Sequence, residues 1–140
     1  MSKIAVVYWS GTGNTQQMAE AVAGGAKKAG AEAELIFVSD FTADMMDNYD
    51  AVAFGCPSMG SEELEDSEFQ PVFDTCEAKL SGKKIALFGS YGWGDGEWMR
   101  TWADTCKNDG AALAAEPVIC NDAPDDDALA QCEALGAALA

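Results

Sequence analysis

Apolar and polar residues fall in alternating blocks along this chain. Lys3-Ile-Ala-Val-Val-Tyr-Trp9 is almost wholly apolar and rich in β-branched residues, the pattern of a strand covered on both faces. A turn cluster, Ser10-Gly-Thr-Gly-Asn-Thr15, separates it from Gln16–Ala29, a run of good helix formers that stops at Gly30. The same rhythm predicts further strands over Glu32–Val38, Ala51–Cys56, Ile85–Gly89 and Ala111–Cys120, the last interrupted by Glu116-Pro117. Helices are predicted over Glu68–Leu80, Glu97–Asn108 and Asp125–Leu139, with a short helical or irregular connection over Phe41–Asn48. Strands alternating with helices imply an α/β fold on a parallel sheet with right-handed crossovers. The 140 residues, without repeat or linker, fit one domain spanning 1–140. In such a sheet ligands bind beyond the carboxyl ends of the strands, where three loops of unusual composition lie: 10–15, 57–66 and 90–96.

Charge narrows the partners. Eight Lys and Arg stand against 24 Asp and Glu, a net charge of -16. No base falls between Ala29 and Ala78, nor after Asn108. Such a surface repels nucleic-acid phosphates and anionic lipid headgroups, so neither nucleic acid nor a membrane is an expected partner. It serves either as an ordinary solvated surface or as a face that steers a basic partner. Strong like charge also favours a monomer. Met1-Ser2-Lys3 leads straight into a strand, so the cytoplasm is the expected compartment. The chain has no histidine, which removes Ser-His-Asp and Cys-His nucleophiles and every His-containing zinc site. Its five cysteines include no Cys-x-x-Cys pair and read as reduced structural thiols, not as a metal or disulfide framework.

The loops carry the chemistry. Ser10–Thr15 joins a buried strand to a helix whose N-terminus presents unpaired N–H groups and partial positive charge. Gly11 and Gly13 let the backbone come close to a ligand, and Ser10, Thr12, Asn14 and Thr15 add neutral donors. Gly-x-x-x-x-Gly-Lys is absent, and Gln16 breaks the Gly-x-Gly-x-x-Gly dinucleotide pattern. The loop is either an ordinary capped turn or the seat of a phosphate held without a cation, which points to a monophosphate. Ser90-Tyr-Gly-Trp-Gly-Asp-Gly96 places Tyr91 and Trp93 among glycines, where large aromatics need something flat to cover. Trp98 and Trp102, four apart on the following helix, read as core. Pro57-Ser-Met-Gly-Ser-Glu62 adds the polarizable Met59. A planar ring between Met59 and Trp93, with its phosphate on the first loop, accounts for all three.

Tyr8-Trp-Ser-Gly-Thr-Gly-Asn-Thr15, Gly55-Cys-Pro-Ser-Met-Gly-Ser-Glu62 and Gly89-Ser-Tyr-Gly-Trp-Gly-Asp-Gly96, in this order and spacing, resemble the three cofactor loops of the short-chain, clostridial-type bacterial flavodoxins. The resemblance covers the whole chain. It implies a flavodoxin-like three-layer sandwich with a five-stranded parallel sheet of order 2-1-3-4-5, and non-covalently bound FMN. By the same likeness Ser10, Gly11, Thr12, Gly13, Asn14, Thr15 and Ser90 hold the phosphate. Met59 and Trp93 flank the isoalloxazine, Glu62 meets its N3 edge, and Ser58, Gly60, Tyr91, Gly92 and Gly94 complete the ring site. Two positions depart from the relatives: Pro57 replaces a hydroxyl, and Ser61 follows Gly60 where Asp is frequent.

The implied activity is that of a low-potential one-electron carrier shuttling between the semiquinone and hydroquinone of FMN. Such a carrier has no substrate turnover of its own and docks on redox proteins with basic faces. The alternative is an FMN-dependent NAD(P)H quinone or azo reductase, but no spare length, basic nucleotide patch or catalytic acid supports it. A signalling receiver domain would need adjacent acids after the first strand, where Trp9-Ser10 stands. In the carrier, the Gly60–Ser61 peptide is expected to turn so that its carbonyl meets the N5–H formed on reduction, a reorientation that glycine permits. One good hydrogen bond of about 1 kcal/mol shifts a one-electron potential by tens of millivolts, at about 59 mV per 1.4 kcal/mol. A Gly60→Val variant should therefore yield clearly less one-electron-reduced flavin in an anaerobic spectrophotometric titration; an unchanged yield would sink the peptide-turn idea.

Overall fold

The computed structural model describes residues 2–59, 63–92 and 94–140. Strands β1 (Lys3–Tyr8), β2 (Glu32–Phe37), β3 (Ala51–Gly55) and β4 (Lys84–Tyr91) are all parallel and lie in the order β2-β1-β3-β4. Two short strands, β5 (Ala112–Leu113) and β6 (Val118–Asn121), share the outer edge of β4. This is the 2-1-3-4-5 order with its fifth position divided. Leu113 pairs with Ile85 and Val118 with Phe88, so residues 114–117 face Ala86 and Leu87 alone and bulge out of the ladder. Pro117 has no N–H to give there, which explains why the interruption falls where the sequence places it.

Side chains alternate across each strand, and helices cover both faces. On one face Ala5, Val7, Val52, Phe54, Ile85 and Leu87 meet α2 (Phe69–Cys76) and α3 (Glu97–Asn108) in one apolar cluster. Aromatic rings fill it: Phe69, Phe73 and Trp102 contact one another at 5.5–6.2 Å between centroids, and Phe54 meets Phe73 edge-on at 5.3 Å. Trp98 and Trp102 are both buried here, as their spacing predicts. On the other face Ile4, Val6, Ala51, Ala53 and Ala86 meet α1 (Asn14–Lys28) and α4 (Asp126–Leu139). Because both faces are covered, β3 has no exposed residue; exposed strand residues fall on the edges, Ala112 in β5, Asn121 in β6, and Glu32, Glu34 and Leu35 in β2. Charges on the β2 edge oppose pairing with another sheet.

Element ends differ from expectation in ways that bear on the site. Helix α1 begins at Asn14, so the end of the first loop is already helical. The helix expected over Glu68–Leu80 keeps α-helical geometry only to Cys76 and tightens into a 3-10 turn over Glu77–Lys79. The connection after β2 is a 3-10 turn over Val38–Asp40 and a longer one over Ala43–Asn48. β4 runs on to Tyr91 because Ser90 and Tyr91 pair with Cys120 and Asn121. Asp125, expected as the first helical residue of α4, instead caps it, its carboxylate accepting the Ala128 N–H at 2.8 Å.

The α1–α4 layer is close-packed through two glycines. A Cβ on Gly25 would sit 1.9 Å from the Glu133 carbonyl oxygen, and one on Gly136 1.9 Å from the Val22 carbonyl oxygen. Gly24, one residue away, has nothing within 4 Å of its Cβ position. Gly25→Ala and Gly136→Ala should each lower stability in urea unfolding by about 1–3 kcal/mol through overpacking. Gly24→Ala should instead raise it by up to about 1 kcal/mol, the helix-propensity gain of alanine over glycine.

Candidate functional site

Four segments leave the carboxyl ends of the strands side by side. The first follows β1. Trp9 continues the sheet, its N–H donating to the Gly55 carbonyl at 3.0 Å, while its indole N–H reaches out to Glu68 Oε1, also at 3.0 Å. The indole lies against Gly11, where a Cβ would stand 2.9 Å from Trp9 Cη2. Gly13 turns the chain into α1 with φ 97°, a left-handed conformation that favours glycine. Ser10 Oγ accepts the N–H groups of Gly13 (3.1 Å) and Gln16 (3.3 Å), tying the loop to the first turn of the helix. Thr15 is almost wholly buried, and its Oγ1 has no hydrogen-bond partner among the described residues. A buried hydroxyl without a partner is costly unless a ligand satisfies it, and this one stands at a helix N-terminus.

The second segment follows β3. Ser58 donates its N–H to the Ser90 carbonyl (3.0 Å), joining this loop to the third. Met59 and Glu63 exchange two backbone hydrogen bonds, 2.8 and 2.9 Å long. Met59 is 39% exposed, one of two large apolar side chains so exposed among the described residues, and it lies at the cleft. At the loop's far end the Glu65 carboxylate is buried. It accepts the N–H groups of Glu68 (2.7 Å), Phe69 (2.9 Å) and Ser67 (2.9 Å), and the Ser67 hydroxyl. Burial pushes this carboxyl up, but those hydrogen bonds outweigh it and hold the group below the usual carboxylate range.

The third segment ends β4. Ser90 is buried, and its hydroxyl donates to the Asp122 carbonyl at 2.9 Å, so its oxygen remains available as an acceptor. Tyr91 packs on Trp98 with centroids 5.5 Å apart, half covered by the core and half facing the cleft. The fourth segment, after β6, is one that sequence reasoning did not include. Asp122 takes φ 58°, the one non-glycine residue with positive φ among those described. Its N–H donates to the Tyr91 carbonyl at 2.8 Å, and Asn121 Nδ2 reaches the same oxygen at 3.3 Å. The Asn-Asp pair at a strand end was the available signal, since both residues tolerate the left-handed region.

Together these segments wall a cleft of about 250 Å³ lined by Trp9, Gly11, Thr12, Asn14, Pro57, Ser58, Met59, Ser90, Tyr91, Gly92 and Asp122. Of the predicted site residues, Gly11, Thr12, Asn14, Ser58, Met59, Ser90, Tyr91 and Gly92 thus come together; Ser10, Gly13 and Thr15 form the loop behind them. Gly94 does not line the cleft. Gly60, Glu62 and Trp93 lie outside the described residues. A second cleft of about 230 Å³ between α2 and α3, lined by Leu64, Phe73, Trp98 and Trp102, gathers none of the predicted residues. No Lys or Arg occurs in segments 10–15, 57–66 or 90–96. The cysteines are free, and burial pushes the Cys76 thiol up to about 11 and those of Cys106 and Cys132 up to about 12, which keeps them unreactive. Among the described residues no cluster has metal-ligating geometry, and no helix is long and apolar enough to cross a membrane.

The donor set fits the phosphate of FMN: a buried unpartnered hydroxyl, a helix N-terminus and a glycine-rich turn, with apolar and aromatic walls beside it for a ring. Comparison with known proteins points the same way. The flavodoxin family model matches residues 6–136. A flavodoxin from Clostridium beijerinckii is 47% identical over 121 residues, covering 86% of this chain and 88% of that protein. One from Megasphaera elsdenii is 44% identical over 137 residues, 98% of each. The solution structure of two-electron reduced Megasphaera elsdenii flavodoxin superposes with a TM-score of 0.90 at 45% identity, covering 97% of both chains.

The left-handed Asp122 yields a test of the fourth wall. Asp122→Asn should leave stability nearly unchanged, whereas Asp122→Val, β-branched at positive φ, should cost about 1–2 kcal/mol in urea unfolding.

Proposed function

Since this chain belongs to the flavodoxin family and is an FMN-binding electron carrier, we propose that it works as a low-potential one-electron shuttle between redox proteins, as a single domain without substrate turnover of its own. The observation that carries the assignment of the loops is the buried, unpartnered Thr15 hydroxyl at the start of α1. FMN, when bound, supplies reversible one-electron redox chemistry. The chain's own residues set its strength and its access.

Ser10, Thr12, Asn14, Thr15 and the amide at Gly11 would hold the phosphate with neutral N–H and O–H groups, while Gly13, its amide on Ser10 Oγ, turns the loop around it. A phosphate held this way keeps its negative charge, because no cation lies in the loop. Met59 and Trp93 would flank the ring and, with Trp9 and Tyr91, keep water from it. Glu62 would meet the N3 edge, and the Gly60–Ser61 carbonyl would hold a proton at N5. Asp122 in the cleft wall, within a chain of net charge -16, would oppose added negative charge on the ring. One carboxylate about 10 Å away opposes such a charge by at most about 1.7 kcal/mol at an effective dielectric near 20. Several of them, with the phosphate, drive the potential down. The same acids favour brief docking on basic faces of partners and keep copies of the chain apart, so the working form is a monomer in the cytoplasm.

Purified protein titrated anaerobically with a reductant should take up FMN and reduce it in two separated one-electron steps. Direct two-electron reduction, or steady oxidation of NAD(P)H by the protein alone, would instead assign it to the reductases. Thr15→Val should raise the FMN dissociation constant about tenfold or more, the effect of one lost hydrogen bond to a charged group. Its stability in urea without FMN should stay level or rise slightly, because the variant also removes a buried polar group without a partner.

A further inference from the structure

We propose that Glu65 is a positioning residue for the flavin: its buried carboxylate holds the loop carrying Met59 at a set distance from the loop that grips the phosphate. This rests on the reading that both loops face FMN. A carboxylate 5% exposed in a chain of net charge -16 is an unusual place for an anion, and among the described residues no Lys or Arg pairs with it. Its partners are the N–H groups of Ser67, Glu68 and Phe69 and the Ser67 hydroxyl. Burying a carboxylate on dipoles alone is worthwhile only where all its acceptor positions are engaged, as they are here.

An ordinary helix cap would stop there; this residue does more. Its own N–H donates to Cys56 Sγ at 3.3 Å, and Cys56 stands at the end of β3, so the loop leaves and rejoins the sheet at one point. Within that closed loop the Met59–Glu63 pair adds a second clasp. Glu68, whose N–H is bound by Glu65 Oε1, sends its own carboxylate to the indole of Trp9, and that indole covers Gly11. A continuous path therefore runs from Gly11 through Trp9, Glu68 and Glu65 to Cys56. Shortening or neutralising Glu65 frees both ends of it. The Glu65→Gln side chain would present one acceptor and one N–H2 to donors that need two acceptors. The Glu65→Asp side chain would keep the charge but fall about one C–C bond short.

The test compares Glu65→Gln and Glu65→Asp with Ser67→Ala, a milder loss of one contact, and with Asp66→Asn, which removes one exposed neighbouring charge that makes no such contacts. Three quantities are read: amide hydrogen exchange at Met59 and Glu63 without FMN, the FMN dissociation constant, and the two one-electron midpoint potentials. Glu65→Gln and Glu65→Asp should each speed exchange at Met59 and Glu63, and raise the dissociation constant, by roughly tenfold or more, as expected from losing a charge-assisted hydrogen bond. Both should change the gap between the two potentials in the same direction. Ser67→Ala should do the same more weakly, and it decides the matter if either Glu65 variant does not fold. Asp66→Asn should leave exchange and the gap as they are. Wild-type exchange and potentials in Glu65→Asp, or a Glu65→Gln indistinguishable from Asp66→Asn, would overturn the proposal. If the wild-type protein takes up no FMN, the functional reading falls, while exchange at Met59 and Glu63 still decides whether Glu65 holds the loop.

Discussion

Covering a parallel sheet on both faces leaves its strands no polar side. Ile4 and Val6 point to α1 and α4, Ala5 and Val7 to α2 and α3, and the same division holds in β3 and β4. Every hydroxyl, amide and carboxylate with chemical use is thereby displaced to where the strands end. At the carboxyl ends the backbone N–H groups of the following helices are unpaired, so the two requirements coincide in space. The glycine-rich turn after β1 and the hydroxyls around it occupy the place where this arrangement leaves room for an anion.

The second organising condition is the absence of positive charge near that place. Its effect runs in one direction throughout. The loop after β1 offers an anion only dipoles, Glu65 is satisfied by N–H and O–H groups, and the salt bridges among the described residues lie on exposed surface, where they contribute little. A site built this way would grip a phosphate without neutralising it. That is the condition a low-potential carrier needs, because every further negative charge on its cofactor then enters an already negative environment.

How much of this was legible depended on whether a feature was written in local pattern or in assembly. The strands and helices are visible as blocks because a doubly covered sheet demands uninterrupted apolar runs. The loops are visible because glycine, serine, threonine and tryptophan cluster there against their usual placement. The division of the last strand followed from Pro117. What stayed hidden was relational. Asp122 enters the cleft only because β6 pairs with Ser90 and Tyr91 beyond the expected end of β4. Glu65 sits in a run of acids with Glu63, Asp66 and Glu68, and nothing in its neighbours' identities separates the buried carboxylate from the exposed ones.

The close approaches of Gly25 to Glu133 and of Gly136 to Val22 join α1 to α4. Until α4 docks, the side of α1 that meets Gly136 at Val22 and Ala26 is uncovered, and the small residues Ala51, Ala53 and Ala86 are only half roofed. During synthesis the nascent chain must therefore carry this apolar surface unprotected past every intermediate length, and the closing step is a docking of elements separated by about a hundred positions, with the slow search that such separation brings. The glycine seam makes the docking of α4, more than completion of the sheet, the step that closes this face of the fold.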